Sequence, residues 1–217
     1  MNWHFECRRT DSTRCDMDRD TLSWYETHSA RYIERTDSFE LFNGLEQDLL
    51  MFAKFLRSDS IVVDLGSGGG RDARLLAELG HKVIAVDASM ALLRRCLGAA
   101  GPMRRIRGVN ADLLALPFTH GSIGGLWACG SLLHLHRHEI PAVVRRCFEI
   151  LQPGAPIGLS MKEGHGSERR GDGRFFTYTC TQELQGWLLN AGFERILISG
   201  PSRNDWLLAM AIKPQMP

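Results

Sequence analysis

Asp64, Gly66 and Gly68 form a compact chemical signal in the run Val62-Val63-Asp64-Leu65-Gly66-Ser67-Gly68-Gly69-Gly70-Arg71-Asp72. Glycines there allow positive φ and let the backbone come close to a ligand. A helix starting after them offers free N–H groups to a negative group. The spacing excludes two nucleotide loops. A dinucleotide turn needs a third glycine where Arg71 stands, and no Gly-Lys-Ser/Thr of a P-loop is present. Asp64, two residues before the first glycine, would repel a pyrophosphate and suits a cationic ammonium or sulfonium group. A second acid, Asp87, closes Val83-Ile84-Ala85-Val86-Asp87, where a carboxylate can accept both hydroxyls of a ribose.

The other titratable signal is Ser131-Leu132-Leu133-His134-Leu135-His136-Arg137-His138. His134 comes first after an apolar run, and an imidazole titrating near neutrality suits a general base. The competing role is a histidine satisfied by backbone groups that only shapes a pocket. His136 and His138 are expected at the surface. No carboxylate spacing completes a metal site from these three, so no metal is expected.

These residues need a scaffold, and the chain supplies alternating strands and helices. β-branched and apolar runs at 60–66, 82–87, 104–109, 123–130 and 157–161 read as strands. Helical stretches at 72–79, 89–97, 139–151 and 181–191 separate most of them. Gly80 and Gly192 act as stops, Ser89 as a cap, and Pro141 falls in a first turn. Strands at 193–199 and 206–212 have no helix between them, which predicts a hairpin with one antiparallel member. The expected fold is α/β: a Rossmann-like, seven-stranded, mostly parallel sheet with helices on both faces and an antiparallel last hairpin. Residues 1–21 read as a flexible tail. Residues 22–58 read as an N-terminal helical lid on a domain spanning 59–217. Its first helix carries Trp24, Tyr25, His28, Tyr32 and Ile33. A second, capped by Asp37 or Ser38, presents Leu41, Leu45, Leu49, Phe52, Phe55 and Leu56.

Bulk properties narrow the partners. A net charge of +1 gives no general attraction to nucleic acid or membranes. No apolar run reaches the ~18 residues of a membrane span, and the polar N-terminus lacks the apolar stretch of a secretory signal. The six cysteines form no Cys-x-x-Cys pair. A disulfide framework is not expected, and a bridge or metal site at Cys7 and Cys15 is set aside. A cytoplasmic monomer or homodimer is the expectation.

Taken together, the Asp-x-Gly-x-Gly turn, the strand-ending Asp87 and the alternating sheet resemble the class I methyltransferases that use S-adenosylmethionine (SAM) and release S-adenosylhomocysteine. The resemblance covers residues 22–212 and implies the following assignments. Asp64, Gly66, Ser67 and Gly68 surround the methionine part of SAM, and Arg71 pairs with its carboxylate. Asp87 binds the ribose, with Ala88, Ser89 and Met90 beside the adenine. In Asn110-Ala111-Asp112-Leu113, Asp112 binds the adenine amino group with Ala111 and Leu113 at its sides. Ala128 and Cys129, in the fourth-strand motif Trp127–His134, face the transferred methyl. Leu151-Gln152-Pro153-Gly154-Ala155 matches the turn before the fifth strand with its final glycine replaced. Gly124 or Gly125 stands where an acid usually opens the fourth strand.

On the acceptor side, residues 161–178 hold four glycines and several charges, and a mobile loop is expected. This run resembles a Lys-x-Gly…Gly-Arg-x-Phe-x-x-Tyr stretch of small bacterial methyltransferases, where it borders the acceptor. Lys162, Arg174 and Tyr178 are candidates for an anionic or polar acceptor, with Tyr25 and Tyr32 reaching in from the lid. His134 is the candidate base. Gly130-Ser131-Leu132-Leu133 is not the Pro-Pro motif of nucleobase-amine enzymes, and Cys129 alone does not suit a metalloid. A small organic acceptor leads. A SAM-binding domain with a non-methylating role and a protein or peptide methyltransferase remain as alternatives. Whether oxygen, nitrogen, sulfur or carbon accepts the methyl is left open.

Overall fold

A computed structural model describes residues 18–100, 105–203 and 205–215. Seven strands form the main sheet: β1 (Ile61–Leu65), β2 (Lys82–Asp87), β3 (Ile106–Asn110), β4 (Gly125–Cys129), β5 (Pro156–Lys162), β8 (Glu194–Arg203) and β9 (Trp206–Ile212). Their order is β3-β2-β1-β4-β5-β9-β8. Neighbours from β3 to β5 pair in parallel, and β9 lies antiparallel to both β5 and β8. The expected hairpin is therefore present, and β9 is its reversed member. Strand order changes direction between β1 and β4. The carboxyl ends of those two strands flank the crevice where ligands of open α/β sheets bind.

Helices cover both faces. On one side α5 (Ile140–Ile150) and α6 (Thr181–Ala191) bury Val144, Ile150, Leu184 and Leu188 against Val63, Leu126 and Leu159. On the other, α2 (Leu45–Ala53), α3 (Arg71–Glu78) and α4 (Met90–Ala99) bury Leu49, Phe52, Leu76 and Leu93 against Val62, Ala85 and Trp127. Phe52 and Trp127 are fully buried, with ring centres 5.1 Å apart. Truncating Phe52 to alanine in such a site costs about 3–5 kcal/mol.

The N-terminal segment departs from the sequence reading. Helix α1 runs Arg19–Thr36, so it starts before Leu22. Asp18 caps it through the Thr21 N–H at 2.9 Å. The rest of the expected tail, with Cys7 and Cys15, lies outside the described residues. Asp37 ends α1 instead of opening the next helix. Helix α2 starts after Gly44, which adopts φ +79° with no side-chain cap. Leu41 and Phe55, expected on an apolar face, are exposed. The third strand is shifted to Ile106–Asn110, and the fourth is shortened at both ends.

The expected mobile loop is also different. Residues 167–177 fold into a small antiparallel hairpin, β6 (Ser167–Arg169) with β7 (Phe175–Thr177). Thr177 is fully buried and donates its hydroxyl to the Leu135 carbonyl at 2.7 Å. That anchor ties the hairpin to the segment after β4, which the glycine and charge content of the run conceals.

Candidate active site

The turn after β1 is held by close contact with the turn after β4. Gly66 adopts φ +76°, and a Cβ there would lie 2.3 Å from the Ser131 Cβ. The Gly66 and Ser67 N–H groups donate to the Val86 carbonyl at 2.7 and 3.0 Å, locking the turn to β2. At the end of β2, Asp87 accepts the Gly68 N–H and the Ser89 N–H, each at 2.8 Å. Burial raises its carboxyl to about 6, with the two N–H bonds opposing. Asn110 donates its amide to the Asp87 and Ala88 carbonyls at 2.9 and 2.8 Å, so β3 orients this loop. Ser89 caps α4 through the Leu92 N–H, and Asp112 caps a 3-10 turn at Leu113–Ala115 through the Leu114 N–H.

Asp64 lies at the centre of the crevice and is nearly inaccessible. Burial first, and then the charge of Asp72, hold its carboxyl well above the ordinary range. Its Oδ2 and the Ser131 Oγ are buried and have no hydrogen-bond partner among the described residues. An orphan carboxylate oxygen of this kind calls for a donor, and a cationic one satisfies it best. Arg71 is positioned at the rim. Its Nε donates to Asp72 Oδ1 at 2.7 Å, and its guanidinium lies over the Phe39 and Phe42 rings at 4.9 and 4.5 Å. Asp72 Oδ2 takes the Trp127 indole N–H at 2.8 Å, so one carboxylate joins the start of α3 to β4.

Beyond Cys129 and Gly130 opens a cavity of about 890 Å³. Its walls come from α1, from the β6–β7 hairpin and from the ends of β4, β5 and β9. On this wall His134 and Tyr25 are joined. The His134 Nδ1 lies 2.7 Å from the Phe175 carbonyl, which can only accept, so Nδ1 carries the proton. Its Nε2 then accepts the Tyr25 hydroxyl at 2.9 Å. The Tyr25 oxygen also receives Arg174 Nη1 at 3.3 Å. Burial lowers the His134 imidazole to about 4, so it is neutral at pH 7. Burial raises the Tyr25 phenol, and the Arg174 charge opposes that. The three side chains are thus joined by hydrogen bonds, and all three line the cavity.

Cys129 is a thiol, pushed up to about 12 by burial and then by the charge of Asp72. It is no nucleophile in that state. Among the described residues no three His, Cys, Asp or Glu side chains converge to hold a metal. No helix there is long and apolar enough to cross a membrane.

The residues singled out in sequence fall into two groups in space. Asp64, Gly66, Ser67, Gly68 and Arg71 surround one narrow pocket with Tyr32 and Cys129; Asp87 is tied to it through the Gly68 N–H, while Ala88–Met90 and Ala111–Leu113 follow the ends of β2 and β3 and line neither that pocket nor the larger cavity. Tyr25, Tyr32, His134, Lys162 and Arg174 line the larger cavity. Ala128 is buried in β4. Three candidates differ from expectation. His134 is held near 4 by burial instead of near neutrality, and its Nε2 is taken by the Tyr25 hydroxyl. Tyr178 is not on the cavity wall; its hydroxyl is tied to Glu168 and Arg170. Arg174 reaches the wall with its guanidinium already clasped by Asp172 at 2.7 Å and laid on Trp24 at 4.0 Å.

Sequence reasoning missed Glu26, whose carboxylate accepts the Ala91 N–H at the start of α4 at 3.3 Å. It also missed Trp24, Phe176 and Trp206 as cavity walls. Glu26 and Trp24 share one helical turn with Tyr25, which is the only local signal they carried.

Comparison with known proteins adds family evidence. Residues 62–154 match the profile of a methyltransferase domain. A carboxy-S-adenosyl-L-methionine synthase of Pectobacterium atrosepticum is 28% identical, covering 52% of this chain and 48% of its own. This chain thus spans about half the length of that relative. A ubiquinone biosynthesis O-methyltransferase of Xylella fastidiosa is 26% identical, covering 74% and 76%. In fold, the chain resembles the 1,6-didemethyltoxoflavin-N1-methyltransferase of Burkholderia thailandensis, solved with 1,6-didemethyltoxoflavin and S-adenosylhomocysteine. The TM-score is 0.75 at 20% identity, with 95% and 94% covered.

Proposed function

We propose that this chain, whose residues 62–154 match a methyltransferase domain, is a SAM-dependent methyltransferase that transfers the methyl group of SAM to a small organic molecule. The observation that carries the acceptor half is the cavity. Its walls come from α1, the segment leading into α2, the hairpin and the strand ends, and a concave site of about 890 Å³ with aromatic walls and a few polar groups suits a small ligand.

In this reading the glycine turn and Asp64 take the methionine part of the donor. The orphan Asp64 Oδ2 and Ser131 Oγ support that fit, since the ammonium of SAM supplies the missing donors. Arg71 takes the donor's carboxylate. Asp87 holds the ribose, Asp112 the adenine amino group, and Ala88, Ser89, Met90, Ala111 and Leu113 flank the base. Bound SAM supplies an electrophilic methyl on a good leaving group. Catalysis then rests on aligning the acceptor and excluding water. Helix α1 serves as the lid. Its Tyr32 ring sits on Gly68, and Tyr25 faces the cavity. An acceptor O–H or N–H loses its proton to the Tyr25 oxygen as Tyr25 passes its own to His134 Nε2. Arg174 steadies the phenolic oxygen while charge builds on it.

Incubation with SAM and a panel of acceptors, read as S-adenosylhomocysteine and a product heavier by one methyl, tests the proposal. Acceptor-independent consumption of SAM would refute it. The likeness to a carboxy-S-adenosyl-L-methionine synthase supports a second reading, in which bound SAM is itself converted. A modified SAM product would select that one. Buried thiols at Cys96 and Cys147 support a reducing, cytoplasmic setting for either.

A further inference from the structure

We infer that the acceptor is an aromatic acid, a flat ring whose anionic group is held by Lys162 beside Trp206. The inference deepens the methyl-transfer reading and rests on it.

The cavity has a built wall for a ring. Lys162 and Trp206 are paired across β5 and β9. The indole lies against Gly130 at the end of β4, where a Cβ would meet its Cη2 at 3.1 Å. Gly130 takes φ +62°, so both backbone and space favour glycine there. The indole edge is thereby set next to the strand end that Cys129 closes, with the ring on the cavity wall. Trp24, Tyr25 and Phe176 add aromatic surface from α1 and the hairpin. Offset or edge-to-face contact with such rings favours a planar ligand over a saturated one.

Charge on the wall is unbalanced. The cavity is lined by the cations Arg31, Arg35, Arg71, Lys162, Arg170 and Arg174 and by two acids, Asp48 and Asp172. Arg71 is matched by Asp72 at 2.7 Å, Arg170 by Glu168 at 3.1 Å and Arg174 by Asp172 at 2.7 Å. Arg31 and Arg35 stand exposed on α1. Lys162 is different. It is half-buried, and among the described residues no carboxylate oxygen comes within 4.0 Å of its ammonium. Its ammonium lies over the Trp206 ring, 5.1 Å from the centroid. Burial and the nearby Arg170 hold its pKa below the usual value, with Asp205 opposing. A partly desolvated cation facing a ligand cavity is a site for an anion, and the compact ammonium suits a single anionic group. The volume of about 890 Å³ leaves room for one ring system beside the methyl donor.

The test titrates benzoate, benzamide and cyclohexanecarboxylate into wild type, Lys162→Met and Lys162→Arg. Each protein is first saturated with S-adenosylhomocysteine, and binding is read by tryptophan fluorescence and calorimetry. Wild type is expected to bind benzoate about tenfold more tightly than benzamide, the value of one charge-assisted contact. It should also bind benzoate more tightly than cyclohexanecarboxylate. The benzoate–benzamide gap should close in Lys162→Met and persist in Lys162→Arg. Equal affinity for acid and amide in wild type, no binding of any probe, or a gap that survives Lys162→Met would overturn the inference alone. Failure of wild type to bind S-adenosylhomocysteine would overturn the methyl-transfer reading first, and this inference with it.

Discussion

Replacing Tyr25 with phenylalanine removes one oxygen from a three-residue chain and keeps the ring. The lost hydroxyl is the donor to His134 Nε2 at 2.9 Å and the acceptor for Arg174 Nη1 at 3.3 Å. His134 is 7% exposed, so its Nε2 is left unpaired where water does not readily replace the phenol. A buried unsatisfied acceptor costs about 1–3 kcal/mol. In a chain of 217 residues each kcal/mol lowers Tm by about 2–4 °C. The kinetic effect is larger if Tyr25 takes the acceptor's proton. Loss of a positioned general base lowers kcat by about 10²–10⁴-fold, or ~3–5 kcal/mol in the barrier. SAM affinity should change little, since the lost bonds reach neither Asp64 nor Asp87. The double variant Tyr25→Phe with His134→Gln should lose no more than the worse single variant, because the two act as one unit. The assay is S-adenosylhomocysteine formation at saturating SAM, with thermal unfolding in parallel. Full turnover in a folded Tyr25→Phe protein, or additive losses in the double variant, would refute the proton chain.

Three further outcomes follow from the same geometry. His134 titrates near 4 in the fold and near 6.5 when unfolded, so the unfolded chain binds the proton first as pH falls. Relative to His134→Gln, wild type should lose up to about 3 kcal/mol between pH 6.5 and 4 in urea melts; parallel curves would contradict the burial of this imidazole. Asp87 sits at about 6 in the free protein, so its carboxylate is protonated below that pH. SAM affinity by calorimetry should fall as pH drops through 6, and Asp87→Asn should weaken it about tenfold or more at pH 7.5 and remove that pH dependence. Gly66→Ala forces a Cβ to within 2.3 Å of the Ser131 Cβ at φ +76°, so SAM binding should be lost and stability should drop by about 2 kcal/mol or more. Wild-type denaturation of that variant would falsify the observed contact between the two turns.

Local pattern determined much of this protein. The β-branched and apolar runs from Ile61 to Met161 mark five parallel strands, because buried parallel strands need nearly continuous apolar faces. Asp64, Gly66 and Gly68 identify the ligand turn because positive φ and close approach are properties of single residues. The missing helix before Trp206 foretold the reversed last strand. Other features had no local signal. The hairpin at 167–177 lies among glycines and charges and is held by Thr177 reaching Leu135, by His134 on the Phe175 carbonyl and by the Phe175 N–H on Thr21. Tyr25 and His134 are 109 residues apart, and Tyr25 and Arg174 are 149 apart. Their hydrogen bonds exist only because α1 crosses the strand ends where the hairpin also rests. That contact decides the His134 tautomer, lowers its pKa by burial and joins a lone histidine to Tyr25 and, through it, to Arg174. Lys162 meets Trp206 only through the β5–β9 register, and its lack of a carboxylate partner among the described residues is a fact about space. Sequence thus marked the glycine turn proposed for the methyl donor, whose signal is local; tertiary structure assembled the cavity proposed for the acceptor, whose walls come from residues distant in the chain.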